Sequence, residues 1–179
     1  ANTNGVLLQQ MGSYIYAFYG SEHNLQVGDL LKVSGTTTSR NGLIQFGSGC
    51  TLEKIGTAAF TFPEPETMSV ETIESYMSNP SIKYVTYSGT ILLSGNYTNL
   101  EIEGSSVVGS LDYMTEDFRA QYSKHNITIT GWLFGSYKTY MYTIPVQVQD
   151  NGIPEEDVPE GAIYYSNFDA ELASQTFGD

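Results

Sequence analysis

The feature that most constrains the fold is a short internal repeat, in which an alternating strand ends in glycine. Residues 31–35 read LKVSG and residues 127–131 read ITITG. Apolar residues at every second position are typical of a half-buried β-strand, and a glycine within such a strand marks a bulge or a tight bend. Each copy follows a short polar or turn-forming segment and is followed by a turn and a second strand. The repeat therefore predicts two related β units.

Further alternating segments extend each copy of the repeat. Strands are predicted over residues 5–10, 13–20, 30–37, 43–46 and 51–55, and again over residues 84–93, 97–103, 107–111, 126–134 and 140–148. The composition agrees with this pattern, because 14 residues are tyrosine and only 15% are charged. Aromatic and β-branched residues favour strands over helices.

Two short helices interrupt the strands. Ser69 is a typical N-cap ahead of an amphipathic run, which Pro80 ends. Thr115 is the N-cap of a second helix that extends to Tyr122. The second half therefore has three strands, a helix and two strands, which is the order of an OB barrel.

A known type of module carries similar motifs. Residues 25–36, LQVGDLLKVSGT, resemble the "lkvGDkvtvsGt" stretch of OB-type modules in secreted and surface proteins of Bacteroidota. Residues 5–20 resemble the two strands that precede that stretch, and residues 83–95 and 127–131 resemble the paired second module. The resemblance implies two five-stranded OB barrels in tandem and an extracytoplasmic location, with the secretory leader not present in this chain. It does not identify an activity.

The resemblance also predicts how the chain is divided. The predicted parts are a first OB-type module over residues 1–58, a linker with a short helix over 59–82, a second OB-type module over 83–149, and an acidic linker with the start of a further domain over 150–179. The first module lacks its own first strand, because an OB barrel needs one strand before Gly5. We expect a strand from elsewhere to complete it, either residues 162–168 folding back or a segment of another chain.

The charge distribution disfavours a phosphate-bearing partner. The net charge is −13. Residues 1–60 carry three basic and three acidic side chains, residues 61–150 carry four and ten, and residues 151–179 carry none and seven. Because nucleic-acid affinity depends on lysine and arginine, a glycan or another protein is the better candidate partner. No apolar run reaches the roughly 18 residues of a membrane span.

No residue pattern indicates catalysis. The sequence has no phosphate-binding glycine loop, no nucleophile elbow and no paired-cysteine motif. Cys50 is predicted to be a small core residue, and His23 and His125 to be solvated loop residues. Glu101 and Glu103 are predicted to be exposed acids on one strand face. We therefore expect no enzymatic activity, no cofactor and no metal site.

Aromatic side chains are the best candidates for a ligand site. OB barrels bind ligands over strands two and three and the loops between strands one and two and strands four and five. The candidates are Trp132, Tyr137 and Tyr140 in the second module, and Tyr14 and Tyr16 in the first, with Arg40 at the rim. The alternative is that these rings pack against the linker helix or a neighbouring domain.

Three classes of function remain open from the sequence. The first is a non-catalytic glycan- or protein-binding module of a surface protein, and the second is a spacer between other domains. The third is a nucleic-acid-binding module of a secreted nuclease. A steep loss of affinity with salt would distinguish the third class from the first.

Overall fold

A computed structural model describes the protein over residues 4–154. Strands make up 52% of it and two helices are present, which confirms the prediction of a mostly β chain. The strands are β1 (Gly5–Gln10), β2 (Ser13–Phe18), β3 (Asp29–Ser34), β4 (Thr37–Arg40), β5 (Leu43–Phe46), β6 (Thr51–Thr57), β7 (Glu66–Thr67), β8 (Lys83–Ser94), β9 (Tyr97–Glu101), β10 (Val108–Leu111), β11 (Asn126–Tyr137) and β12 (Tyr140–Asp150). The helices are α1 (Val70–Ser78) and α2 (Glu116–Tyr122).

The second half forms a closed five-stranded barrel. Its strands follow the order β8, β9, β10, β12 and β11, and β11 pairs with β8 to close the sheet. All neighbours are antiparallel except β10 and β12, which are parallel. Helix α2 lies between the third and fourth strands in sequence, as the sequence predicted. The core contains Val85, Tyr87, Ile91, Leu100, Leu111, Ile127, Ile129, Leu133 and Met141, together with Ile73 and Tyr76 of α1.

Glycine lets the long strand β11 bend around this barrel. The register between β11 and β12 shifts at Gly131 and again after Leu133. A Cβ at Gly131 would lie 2.5 Å from the carbonyl oxygen of Ile144, so the two backbones approach too closely for a side chain. The glycine that ends the second copy of the repeat therefore marks a bend, as predicted.

The first half forms an open arrangement of strands. Its strands form a sheet of order β1, β2, β5 and β4, and a separate ladder of β3 with β6. The parallel pair β2 and β5 corresponds to β10 and β12. One strand was predicted over residues 30–37, but β3 ends at Ser34 and β4 begins at Thr37, because Gly35 with φ +155° turns the chain between them. No strand joins β1 to β3 within residues 4–154, so this half shows no second closed barrel.

The linker packs against the closed barrel through α1. Ser69 caps the helix as predicted: its hydroxyl accepts from the Thr72 amide at 3.3 Å, and its own amide donates to the Thr72 hydroxyl at 2.7 Å. This reciprocal arrangement satisfies two backbone donors at the helix start. Ahead of the helix, the short strand β7, which the sequence analysis did not predict, pairs in parallel with β8.

An aromatic seam joins the two halves. We define the seam as Tyr14, Tyr16, Phe62, Tyr84, Trp132 and Phe134. The Trp132 ring lies 4.6 Å from the Tyr14 ring and 4.9 Å from the Tyr84 ring, measured between centroids. The Phe134 and Tyr16 rings are 5.3 Å apart, and Phe62 of the linker stacks on Tyr84 at 5.4 Å. The Trp132 side chain is only 6% exposed, so its ring is buried between the two halves.

Main-chain contacts fix the halves beside the seam. The tip of the β4–β5 hairpin reaches β11, where the Asn41 carbonyl accepts from the Ser136 amide at 2.8 Å. The neighbouring Gly135 amide donates to the Tyr76 hydroxyl at 3.0 Å. Gly135 has φ +123°, and a Cβ there would lie 2.5 Å from the Asn41 oxygen. Glycine is therefore required for the hairpin to approach.

Replacing Trp132 with alanine should destabilise the fold. The expected loss in the free energy of unfolding is about 3 kcal/mol, because the change leaves a cavity between rings from both halves. Chemical denaturation of the wild type and the variant measures this loss. Tyr137→Ala is the matched control, because Tyr137 is 56% exposed and should cost less than about 0.5 kcal/mol. Equal losses for the two variants would show that the seam does not hold the halves together.

Candidate ligand-binding face

The structure separates the predicted site residues into two groups. Trp132, Tyr14 and Tyr16 belong to the seam, so the expectation that they form exposed platforms is corrected. Tyr14 packs on Trp132 and Tyr16 packs on Phe134, in each case across the junction of the halves, which agrees with the alternative of packing against a neighbouring domain. Tyr137 and Tyr140 remain 56% and 38% exposed. The exposed aromatic surface therefore lies at the hairpin between β11 and β12.

Strand alternation places further residues beside these two tyrosines. On β9, β10 and β12 the residues Leu100, Leu111 and Met141 point into the core, so their neighbours in sequence point outward. In the ladder, Ser110 is paired with Asn99 on one side and with Tyr142 on the other. These three side chains therefore form one row across the outer face of the barrel.

Four tyrosines surround the polar part of this row. We name this surface the tyrosine face, and it consists of Tyr97, Tyr137, Tyr140 and Tyr142 around Asn99 and Ser110. Tyr97 begins β9 and is 70% exposed, and Tyr140 is the ladder partner of Tyr137. Burial raises the pKa of the Tyr142 hydroxyl, and Tyr97 and Tyr137 add a smaller electrostatic effect in the same direction. The Lys138 ammonium lies 5.4 Å from the centre of the Tyr137 ring.

Asn99 is the most informative residue of the tyrosine face. It is 6% exposed, and its side-chain oxygen Oδ1 has no hydrogen-bond partner among the residues described. A buried amide oxygen without a donor costs about 1–3 kcal/mol, so such groups are rare in folded proteins. A bound molecule with a hydroxyl or amide donor would satisfy it.

Charge at the edge of the face is small and mixed. Asp112 follows β10, and its amide donates to the Thr143 carbonyl at 3.0 Å. Burial raises the pKa of Asp112 to about 6, against the opposing effect of the Arg40 guanidinium from the first half. Burial is also the main cause that raises the pKa of Tyr142, with the Asp112 carboxylate adding to it. Arg40, which the sequence predicted at a rim of the first module, thus lies near the rim of the second.

Sequence reasoning missed the polar residues of this face. Asn99, Ser110 and Asp112 belong to no motif, and each is an ordinary residue of a strand or a strand end. The strand order of an OB barrel could have predicted them, because it places β9 and β12 on either side of β10 and so brings their outward residues together.

The remaining candidates carry structural contacts. His23 and His125 were predicted as solvated loop residues, but both are half-buried. The His23 ring nitrogen Nε2 lies 3.1 Å from the Gly5 carbonyl, and the His125 Nδ1 lies 2.8 Å from the Asp150 carboxylate. Within the described part of the chain, no group of three histidine, cysteine or acidic side chains could hold a metal ion. Over the same residues no helix has the length and apolar character to cross a bilayer.

Comparison with known proteins finds no matching protein family, no similar curated protein and no similar solved structure.

Asp112 should make stability depend on pH. Its pKa in the folded state, about 6, lies above the usual value for an aspartate, so folding favours the protonated form. The stability that this proton contributes is complete below about pH 4 and is lost as the pH rises through 6. Asp112→Asn should therefore raise the free energy of unfolding by about 2 kcal/mol at pH 7.5 and leave it nearly unchanged at pH 4. Denaturation at both pH values tests this, and an equal effect at the two would contradict it.

Proposed function

We propose that the chain is a non-catalytic binding module, built as two OB-type modules in tandem, which binds a neutral glycan on its tyrosine face. The observation that carries this proposal is the unpartnered Oδ1 of Asn99, which is 6% exposed and lies in the same cross-strand row as Ser110 and Tyr142. Flat aromatic rings pack against the apolar faces of sugars, and an amide oxygen accepts from sugar hydroxyls. The two kinds of contact lie side by side on this face.

The connectivity of the first half supports the tandem arrangement. Strands β1, β2 and β5 pair in the same sense as β9, β10 and β12. The long fourth and fifth strands of the second barrel correspond to β3 with β4 and β5 with β6, each divided by a bend. On this proposal the first half is an OB barrel without its first strand. The proposed extracytoplasmic location rests on the motif resemblance alone.

The charges favour a neutral ligand over a nucleic acid. Asp112 and Glu101 lie at the edges of the tyrosine face, and the basic groups near it are Arg40 and Lys138. A strand of phosphates needs several cations along its path. Stacking of unpaired bases on the tyrosines is the alternative, and it would give binding that weakens steeply with salt.

Binding to the tyrosine face can be tested with a panel of neutral oligosaccharides. The wild type should bind at least one of them, and Tyr140→Ala should weaken that binding about tenfold, because it removes about 1.4 kcal/mol of ring contact. Titration calorimetry gives the affinities. Met11→Ala is the control, because Met11 is fully exposed in a turn of the first half and should bind like the wild type.

Asn99→Leu provides a sharper test of the same face. Leucine has the same number of side-chain heavy atoms, branched at the same carbon, and no polar atom, so the variant should be as stable as the wild type or more stable, because the unsatisfied oxygen is removed. It should nevertheless lose glycan binding. Wild-type binding to no oligosaccharide, or binding by Asn99→Leu equal to that of the wild type, would refute the proposal. Salt-dependent binding of single-stranded DNA would favour the alternative.

A further inference from the structure

Two strand edges face each other across a gap in the first half. Within residues 4–154, β1 pairs only with β2, and β3 pairs only with β6. Each strand therefore has one edge with no neighbouring strand. Exposed edges of this kind are costly and bind other strands readily.

A groove of about 1110 Å³ lies beside these edges, and it is also bounded by Phe62 of the linker and by Trp132 and Val146 of the closed barrel. Its lining includes Leu8 and Ile15 from the β1–β2 hairpin, Leu31 and Val33 from β3, and Phe46 from β5. The core of this half has only three buried apolar residues, Val6, Ala17 and Cys50, whereas that of the closed barrel has fourteen. The first half thus leaves the interior of a barrel partly uncovered.

The closed barrel shows what occupies the equivalent gap. By the internal repeat, β3 corresponds to the first part of β11, and by connectivity β1 corresponds to β9. In the closed barrel β8 lies between β9 and β11 and is antiparallel to both. Its inward side chains are buried and apolar, with Val85, Tyr87 and Ile91 at alternate positions around Gly89.

We propose that the gap between β1 and β3 is a strand-acceptor site, and that its occupant is a β-strand of the same polypeptide that leads directly into β1. The strand runs antiparallel to β1 and β3 and presents apolar side chains at every second position to Leu8, Leu31 and Phe46. Its length is close to the twelve residues of β8. It completes the hydrogen bonds of both edges and covers the groove.

The connection between β8 and β9 argues for a strand from the same polypeptide. β8 enters β9 through the two-residue turn of Gly95 and Asn96. At the equivalent place, the Asn4 carbonyl accepts from the amides of Tyr19 and Gly20, both at 2.9 Å, and so holds the entry to β1 at the end of the gap. A short turn places the preceding strand beside β1 at little cost in chain entropy.

The charges beside the gap agree with an apolar occupant. The Asp29 carboxylate is paired with the Lys54 ammonium at 2.6 Å and also accepts from the Gln26 amide. These contacts lower the pKa of Asp29. Because Asp29 and Lys54 pair with each other, neither presents an unpaired charge to a charged partner in the groove. Residues 162–168, the other source considered from the sequence, lie outside the described residues.

An extended variant tests the acceptor site directly. Residues 1–3 are replaced by a copy of Lys83–Ser94 followed by Gly-Asn, so that a strand with the chemistry of β8 precedes Asn4. Amide hydrogen exchange should slow at least tenfold at the open edges of β1 and β3. In the matched control, proline replaces alternate residues of the added strand, and exchange should stay as in the unextended chain, because proline donates no hydrogen bond.

A cross-link supplies a second measurement that does not depend on exchange. Leu30→Cys places a thiol on exposed β3, and a second cysteine is placed in the added strand opposite it, while Cys50 is buried. An intramolecular disulfide should form rapidly under mild oxidation in this variant and not in the proline control. Failure of the added strand both to slow exchange and to cross-link overturns the proposal.

The unextended chain distinguishes the other occupants. If its β1 and β3 edges are already protected and deletion of residues 155–179 removes that protection, the occupant is the tail and the proposed source is wrong. If protection rises with protein concentration, the occupant is a second copy, and the proposed source is again wrong. Slow exchange only in the extended chain supports the proposal. None of these results depends on glycan binding, so this inference and the proposed function can fail separately.

Discussion

The packing of Trp132 between Tyr14 and Tyr84 is the interaction on which the arrangement of this protein depends. Without it, the first half would be an open sheet with a core too small to be stable alone. The seam joins that sheet to a closed barrel, and the hydrogen bond from Ser136 to Asn41 fixes their relative position. An isolated barrel would expose the apolar outer surface at the seam to water. Burial of that surface between the halves stabilises their association.

The seam also determines which aromatic rings of the barrel stay exposed. The outer surface of the barrel carries aromatic rings on β9, β11 and β12, and the rings of the first half pack on Trp132 and Phe134 of β11. Phe134 lies at the boundary, with its ring 5.3 Å from Tyr16 of the first half and 6.0 Å from Tyr142 of the tyrosine face. Packing therefore leaves Tyr97, Tyr137 and Tyr140 exposed beside Asn99, while it removes Trp132 from contact with solvent.

Local patterns in the sequence predicted the elements well but did not predict which faces are covered. The capping residues Ser69 and Thr115 begin their helices as expected, because capping depends on neighbours within four residues. The short strand β7 was missed, since it depends on pairing with β8. The repeat predicted a bend at Gly35, although the strand predicted over residues 30–37 continued past it. Trp132 was predicted as a candidate ligand-binding residue, yet its burial depends on Tyr14, more than one hundred residues earlier in the chain. The alternation of apolar and polar residues within one strand does not show which distant residues cover its outer face.

The two halves should therefore differ in local stability. The closed barrel satisfies its strand edges and buries a continuous core, so its amides exchange only through large-scale unfolding. The first half has two open edges and depends on the seam, so it can open while the barrel stays folded. Such opening would leave every residue of the tyrosine face in place and would remove only Arg40, which the β4–β5 hairpin places near its rim. Filling the gap beside β1 would stabilise the hairpin and hold Arg40 near Asp112. The acceptor site and the tyrosine face are thus connected through one hairpin, although they lie on different halves of the molecule.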